Sequence, residues 1–253
     1  TDGRSAVALL PTRLYNHTQE GDLGPRATAV GAHTGTSQFA QQLAAYMQRT
    51  FLEPVVAGLA RDGIPYWGVL GIDTIITAQG PRLTAIRHGL RPGEAEVVLT
   101  RLEDDLLPWL QAMITQRLHE LPAPRWEPVA SVGIGLFARG FPVSYPYGGL
   151  ISGLDTLDEG VLAIHHSTAN PAVVIPYTPR KQGSSFGQMV GGLLGMRGLP
   201  SVSGLHSTGG MVLTVVCRGA TLAGARGRAM INAERIQFEG RTFRTDIGVK
   251  EFQ

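Results

Sequence analysis

The chain has 253 residues, 43% of them hydrophobic and 17% charged. That length can bury a sizeable core in one large domain or two small ones, and so low a share of charge excludes a coiled coil or a disordered chain. A formal net charge of +2 is too small to point to nucleic acid, and the single cysteine, Cys217, excludes both an intramolecular disulfide framework and a cysteine zinc cluster.

In chain order, Ser5 to Leu10 reads as a strand and residues 11–35 as a polar, glycine-containing loop. Thr36 or Ser37 is placed to cap a helix whose apolar face carries Phe39, Leu43 and Met47, with Pro54 expected to break or kink it and Gly63 to close it. Tyr66 to Thr77, the turn Ala78-Gln79-Gly80-Pro81 and Arg82 to Arg87 predict a hairpin. Glu94 to about Leu121 reads as a second helical region with Pro108 as an irregularity, and Leu121-Pro122-Ala123-Pro124-Arg125 as a linker. Beyond it, Ala130 to Ala138, Val161 to Ile164, Ala172 to Ile175 and Met211 to Val216 read as strands. Thr221 should cap a helix with Leu222, Ala225, Ala229 and Ala233 on one face. Helices before the linker and strands after it indicate the α+β class, with domains at 1–125 and 126–253.

Several local patterns carry chemistry only weakly. Gly183-Ser184-Ser185-Phe186-Gly187 fits G-x-S-x-G, but its lead-in is a poor strand and no acid lies between Ser185 and the last histidine, His206. Gly187, Gly191 and Gly195 recur at helical spacing, although a glycine-rich loop is the plainer reading. No histidine pair has zinc-site spacing, and the adjacent His165 and His166 would face opposite sides of a strand. Thr1 has the chemistry of an N-terminal nucleophile, but nothing near it supports that role. Asp73 is the informative residue: a carboxylate inside an apolar strand needs a partner. The returning strand offers no second carboxylate, only Arg87, so an Asp73–Arg87 pair and a magnesium site both stay open.

The order of short motifs resembles the C-terminal part of the phosphoribosylamine–glycine ligase (glycinamide ribonucleotide synthetase) family of ATP-grasp enzymes. Thr1-Asp2-Gly3, Gly21-Asp22-Leu23-Gly24-Pro25, Gly31-Ala32-His33 and Pro65-Tyr66-Trp67-Gly68-Val69-Leu70 follow its ATP-grasp portion. Gly140-Phe141-Pro142, His165-His166-Ser167-Thr168, Ser207-Thr208-Gly209-Gly210-Met211 and the ending Arg244-Thr245-Asp246-Ile247-Gly248 follow its C-terminal domain. The resemblance implies the second half of an ATP-grasp module followed by a small β-rich domain, with an insertion near 170–205.

It also implies ATP and magnesium, a carboxylate and an amine as substrates, and a protein chain or segment supplying the N-terminal half of the fold. Thr1 is then expected to mark the edge of that missing half. The departures fall on the chemistry. The family's Glu-x-Asn metal ligands on the returning strand are here Ala85 and Arg87, and its Asn-Thr-Gly-Gly substrate loop is Arg26-Ala27-Thr28-Ala29. Asp73, which stands where many other ATP-grasp enzymes but not usually this family place a metal carboxylate, and Glu94 are the remaining metal candidates; Arg87 and Arg91 are the catalytic candidates, and Arg26, Gly31 and His33 the cofactor-binding ones. The expected reaction is a divergent amide-forming ligation; the alternative is a degenerate structural or regulatory subunit that binds a partner chain. Neither nucleic acid nor membrane is expected as a partner, and the cytoplasm is the expected location.

Overall fold

The computed structural model describes residues 1–35, 37–170 and 204–251. The sequence-predicted strand at Ala172 to Ile175, the G-x-S-x-G pattern, the spaced glycines and the Thr36 cap lie outside them.

Among the described residues a six-stranded sheet organises the chain. Strands β1 (Arg13–Gln19), β2 (Leu23–Thr34), β5 (Ala130–Ala138), β9 (Met211–Gly219) and β6 (Leu162–His165) follow one another across it, and β10 (Arg241–Thr242) pairs with the end of β5. Every pairing in it is antiparallel. Every residue of β5 is buried. Ile134, Leu136, Val212, Leu213 and Val215 form the centre of the core, each contributing about 1.5–3 kcal/mol by its burial. Helix α5 (Leu222–Arg235) crosses β5 and β9. Its buried stripe is Ala225, Ala229, Asn232 and Ala233, small side chains that let the helix axis approach the sheet. Thr221 caps it as expected, accepting the Gly224 N–H at 3.0 Å.

The sheet corrects two early readings. Residues 11–35 form a hairpin rather than a loop, because β2 is built of glycine, alanine and threonine, whose strand signal is weak, and its pairing with β5 supplies what propensity does not. Ser5 to Leu10 has no ladder partner among the described residues and is not a strand, although Ala6 and Leu10 are buried. β2 lies before the 121–125 segment and β5 after it, so one sheet joins both parts of the chain.

Helix α1 (Ser37–Met47) runs through a π-helical turn at Gln48–Leu52 into α2 (Glu53–Arg61). Pro54 therefore neither breaks nor ends the helix. It sits in the first turn of α2, directly after the π-helical turn, the local irregularity that accommodates a proline inside a continuous helix. Gly63, at φ +77°, closes the segment as expected. The second helical region is divided: α3 (Glu94–Leu99) stops before Asp105, whose carboxylate accepts the Leu107 N–H at 2.9 Å and starts α4 (Leu106–Thr115). The two helices do not share one buried face: Val98 is buried while Leu106 and Leu110 are exposed. The predicted hairpin is present as β3 (Leu70–Thr77) and β4 (Gly80–His88), a separate two-stranded sheet, and β7 (Thr168–Ala169) pairs with β8 (His206–Ser207).

Candidate functional site

In the β3–β4 register Gly71 faces Arg87 and Asp73 faces Ala85. Side chains two apart share a face of a strand, so Arg87 lies diagonally across from Asp73 on the same side of the hairpin. The Arg87 Nε donates to Asp73 Oδ1 at 2.9 Å. Its Nη2 donates to both Glu94 oxygens, at 2.9 and 2.7 Å, and its Nη1 to the Gly89 carbonyl at 2.5 Å. Arg91 completes the cluster: its Nη2 donates to Asp73 Oδ2 at 2.5 Å and its backbone N–H to Glu94 Oε2 at 2.9 Å. Two guanidinium groups balance two carboxylates, mostly out of solvent. Burial works against the Arg87 charge, but Asp73 and Glu94 outweigh it and raise its pKa above the ordinary arginine value.

The segment after β4 aims Arg91. Gly93 adopts φ +90°, a conformation that residues with a side chain rarely take, and packs beside Ala29 of β2. Its N–H donates to the Glu96 carboxylate at 2.6 Å, which fixes the start of α3. Packed this way, the segment brings Arg91 to a cleft of about 260 Å³ lined also by Asn16, Arg26, Ala27 and Thr28. Asn16 is a cleft residue that the sequence did not single out, whereas Ala27 and Thr28 belong to the Arg26-Ala27-Thr28-Ala29 segment that it did. Arg26 and Thr28 are two apart, so reading β2 as a strand would have put Thr28 beside Arg26.

Gly31 and His33 do not line this cleft. Gly31 is a packing residue: a Cβ there would enter the Ile247 side chain. His33 is 4% exposed, near the Tyr15 ring, with neither ring nitrogen hydrogen-bonded among the described residues and Glu251 3.9 Å away. Burial pushes its pKa down to about 4; Glu251 opposes that shift and Arg13 adds to it. His165 and His166 have separate partners, Thr168 Oγ1 at 2.9 Å and Thr214 Oγ1 at 2.8 Å. The Thr1 hydroxyl donates to the Ser5 carbonyl and accepts the Gly3 N–H, roles of a turn former. The Cys217 thiol is buried, which pushes its pKa up to about 11 and keeps it protonated and inert.

These residues do not fit a magnesium ion. An octahedral ion needs oxygen atoms turned to one point at about 2.0–2.1 Å, and every oxygen of Asp73 and Glu94 is turned to a guanidinium or a backbone N–H. Among the described residues no group of three or more His, Cys, Asp or Glu is placed to hold a metal.

Comparison with known proteins finds two matching family models: phosphoribosylglycinamide synthetase, ATP-grasp (A) domain, over residues 1–96, and phosphoribosylglycinamide synthetase, C domain, over residues 131–250. The chain is 31% identical over 248 residues to the phosphoribosylamine–glycine ligase of Phenylobacterium zucineum, covering 98% of this chain and 52% of that protein. It is 30% identical to the trifunctional purine biosynthetic protein adenosine-3 of Drosophila pseudoobscura pseudoobscura, covering 100% of this chain and 17% of that protein. The crystal structure of phosphoribosylamine–glycine ligase from Thermotoga maritima superposes with a TM-score of 0.73 at 22% identity, over 97% of this chain and 53% of that one, and establishes likeness of fold. The chain spans about half the length of the phosphoribosylamine–glycine ligases it matches.

Proposed function

The chain belongs to the phosphoribosylglycinamide synthetase family, and from that premise we propose that it supplies part of an ATP-dependent carbon–nitrogen ligase. Residues 1–125 contribute an ATP-grasp segment and residues 126–253 the C domain. The observation that carries the reading is the meeting of Arg26 and Arg91 at one cleft, from segments far apart in sequence. Guanidinium groups bind carboxylate and phosphate oxygens through charge-assisted, often paired hydrogen bonds. In the reaction, a carboxylate oxygen attacks the γ-phosphorus of ATP, the bond to the bridging oxygen breaks and ADP leaves. The amine nitrogen then attacks the acyl carbon, phosphate departs with the carbon–oxygen electron pair, and an amide remains after loss of a proton. Arg26 and Arg91 hold the anionic reactant, and Asp73 and Glu94 keep Arg91 and Arg87 in place.

ATP is the cosubstrate that an ATP-grasp segment implies. A further chain or segment supplies the rest of the nucleotide pocket, a role consistent with the share of its relatives that this chain spans. A cytoplasmic location belongs to the same reading; among the described residues no helix is long and apolar enough to cross a membrane. The test is ADP release by this chain in complex with that partner, given the two substrates in the relatives' name, phosphoribosylamine and glycine. R26A and R91A should each raise KM by about tenfold. A complex that releases no ADP in response to carboxylate and amine would overturn the reading.

The second reading is a non-catalytic structural or regulatory subunit. It is favoured by the Arg87 side chain, all of whose nitrogens already donate within the protein. It predicts a stable complex that binds no nucleotide.

A further inference from the structure

We infer that the Arg87 guanidinium occupies the place where an ATP-grasp site of this kind would hold a divalent cation, so that the Asp73–Glu94 pair binds no metal and instead positions two arginines. The site is built for this occupant. Asp73 approaches Arg87 from β3 at 2.9 Å and Glu94 approaches it from α3 at 2.7 Å, so one planar cation bridges two carboxylates from different elements. The residue opposite Arg87 on β3 is Gly71, and a Cβ there would lie 2.5 Å from the Arg87 Cζ and Nη1. Only a residue without a side chain leaves room for the guanidinium to lie across the strand. The next cross-strand position holds Ala85, which offers no oxygen.

A divalent ion entering here would have to displace a guanidinium and would meet a second one, since Arg91 holds the other Asp73 oxygen at 2.5 Å. With two cations already balancing two carboxylates, the pair has no net negative charge left to attract it. The carboxylates are positioning residues: Asp73 turns Arg91 toward the cleft shared with Arg26, and Glu94 holds the backbone N–H of that same arginine.

The experiment is titration of the purified full chain with Mn²⁺, read by the loss of free-ion electron paramagnetic resonance signal and by thermal shift. It needs neither nucleotide nor partner, so it stands apart from the ligase assay: either can fail without the other. The wild-type chain should show no saturable binding at submillimolar Mn²⁺ and no rise in Tm. R87A leaves Asp73 Oδ1 and Glu94 Oε1 without their guanidinium partner and should bind Mn²⁺ at least about tenfold more tightly, a gain that the D73N change should abolish in the double variant. R87Q, which keeps a polar side chain of smaller bulk, replaces R87A if that variant does not fold. Saturable wild-type binding that D73N removes would overturn the inference. So would a folded Arg87 variant that gains no affinity.

Discussion

Arg244 Nη1 donates to Asp22 Oδ1 at 2.8 Å, joining positions 222 residues apart. The same guanidinium donates to both oxygens of Asp246, at 2.7 and 2.6 Å, and lies 5.2 Å from the Tyr15 ring centre. The Tyr15 hydroxyl in turn accepts the Gly248 N–H at 2.9 Å. One buried arginine thus fastens the end of the described chain to the first hairpin of the sheet.

R244M should lower unfolding free energy by about 3 kcal/mol, since it strands carboxylates that the fold holds near a cation. Lys250 first and Arg244 next keep the Asp22 carboxyl below its ordinary value of 3.8. Burial opposes the same shift at Asp246, where Arg244 and the Gly21 N–H outweigh it. Folded values below the unfolded ones mean stabilisation that is complete above about pH 4 and lost as pH falls through the folded values. Urea melts at pH 7 and pH 3 should show a smaller wild-type-to-R244M difference at the lower pH.

His33 sets a second pH window, on the other side of neutral carboxylate chemistry. Its folded pKa of about 4 lies below the ordinary 6.5, so the unfolded chain takes up a proton that the folded chain refuses. Stability therefore falls as pH drops from about 6.5 toward 4, by about 3 kcal/mol in all. H33F should flatten the Tm-against-pH curve between those values while leaving the steeper acid limb in place.

Arg101 is fully buried, and its guanidinium donates to the Thr34 hydroxyl and the Gly35 carbonyl, each at 2.6 Å, and to the Glu127 carbonyl at 3.2 Å. It ties the end of β2 to the segment that leads into β5. Burial lowers its pKa, with Glu127 opposing. R101M keeps most of the volume and removes the donors. It should cost about 3 kcal/mol in chemical denaturation, from carbonyl and hydroxyl groups left without a partner.

Gly71→Ala adds one methyl where the Arg87 guanidinium lies. It should destabilise the hairpin by about 1–3 kcal/mol, as overpacking does. Hydrogen exchange should show the loss confined to β3 and β4, with the β5–β9 ladder unaffected. An unchanged exchange pattern would mean that Arg87 is not held against that strand.

The legible parts of the fold were those with strong local pattern. Ala130–Ala138 and Met211–Val216 are mainly apolar runs, interrupted only by Ser131 and Thr214, as befits strands buried on both faces. The alanine stripe of α5 and its threonine cap were readable for the same reason. β1 and β2 were not, since β2 is ordered by pairing with the distant β5, β1 by pairing with β2, and both by Arg244 contacts from the far end of the chain. The irregularity at Pro54 was legible, but its form, a π-helical turn just before the proline, was not, because residue spacing alone does not reveal such a turn.

At the site, the residue types by themselves settled that the hairpin's returning strand carries Ala85 and Arg87, and that Asp73 needs a partner. They left that partner open between Arg87 and a metal, because the choice depends on where Glu94 and Arg91 stand. The tertiary structure decided it: the turn at Gly93 against Ala29 brings Glu94 and Arg91 to the hairpin, and the space over Gly71 admits the guanidinium between the two carboxylates. Coulomb attraction and hydrogen-bond geometry act over a few ångströms, and which charges come that close is set by chain packing rather than by their order along the sequence.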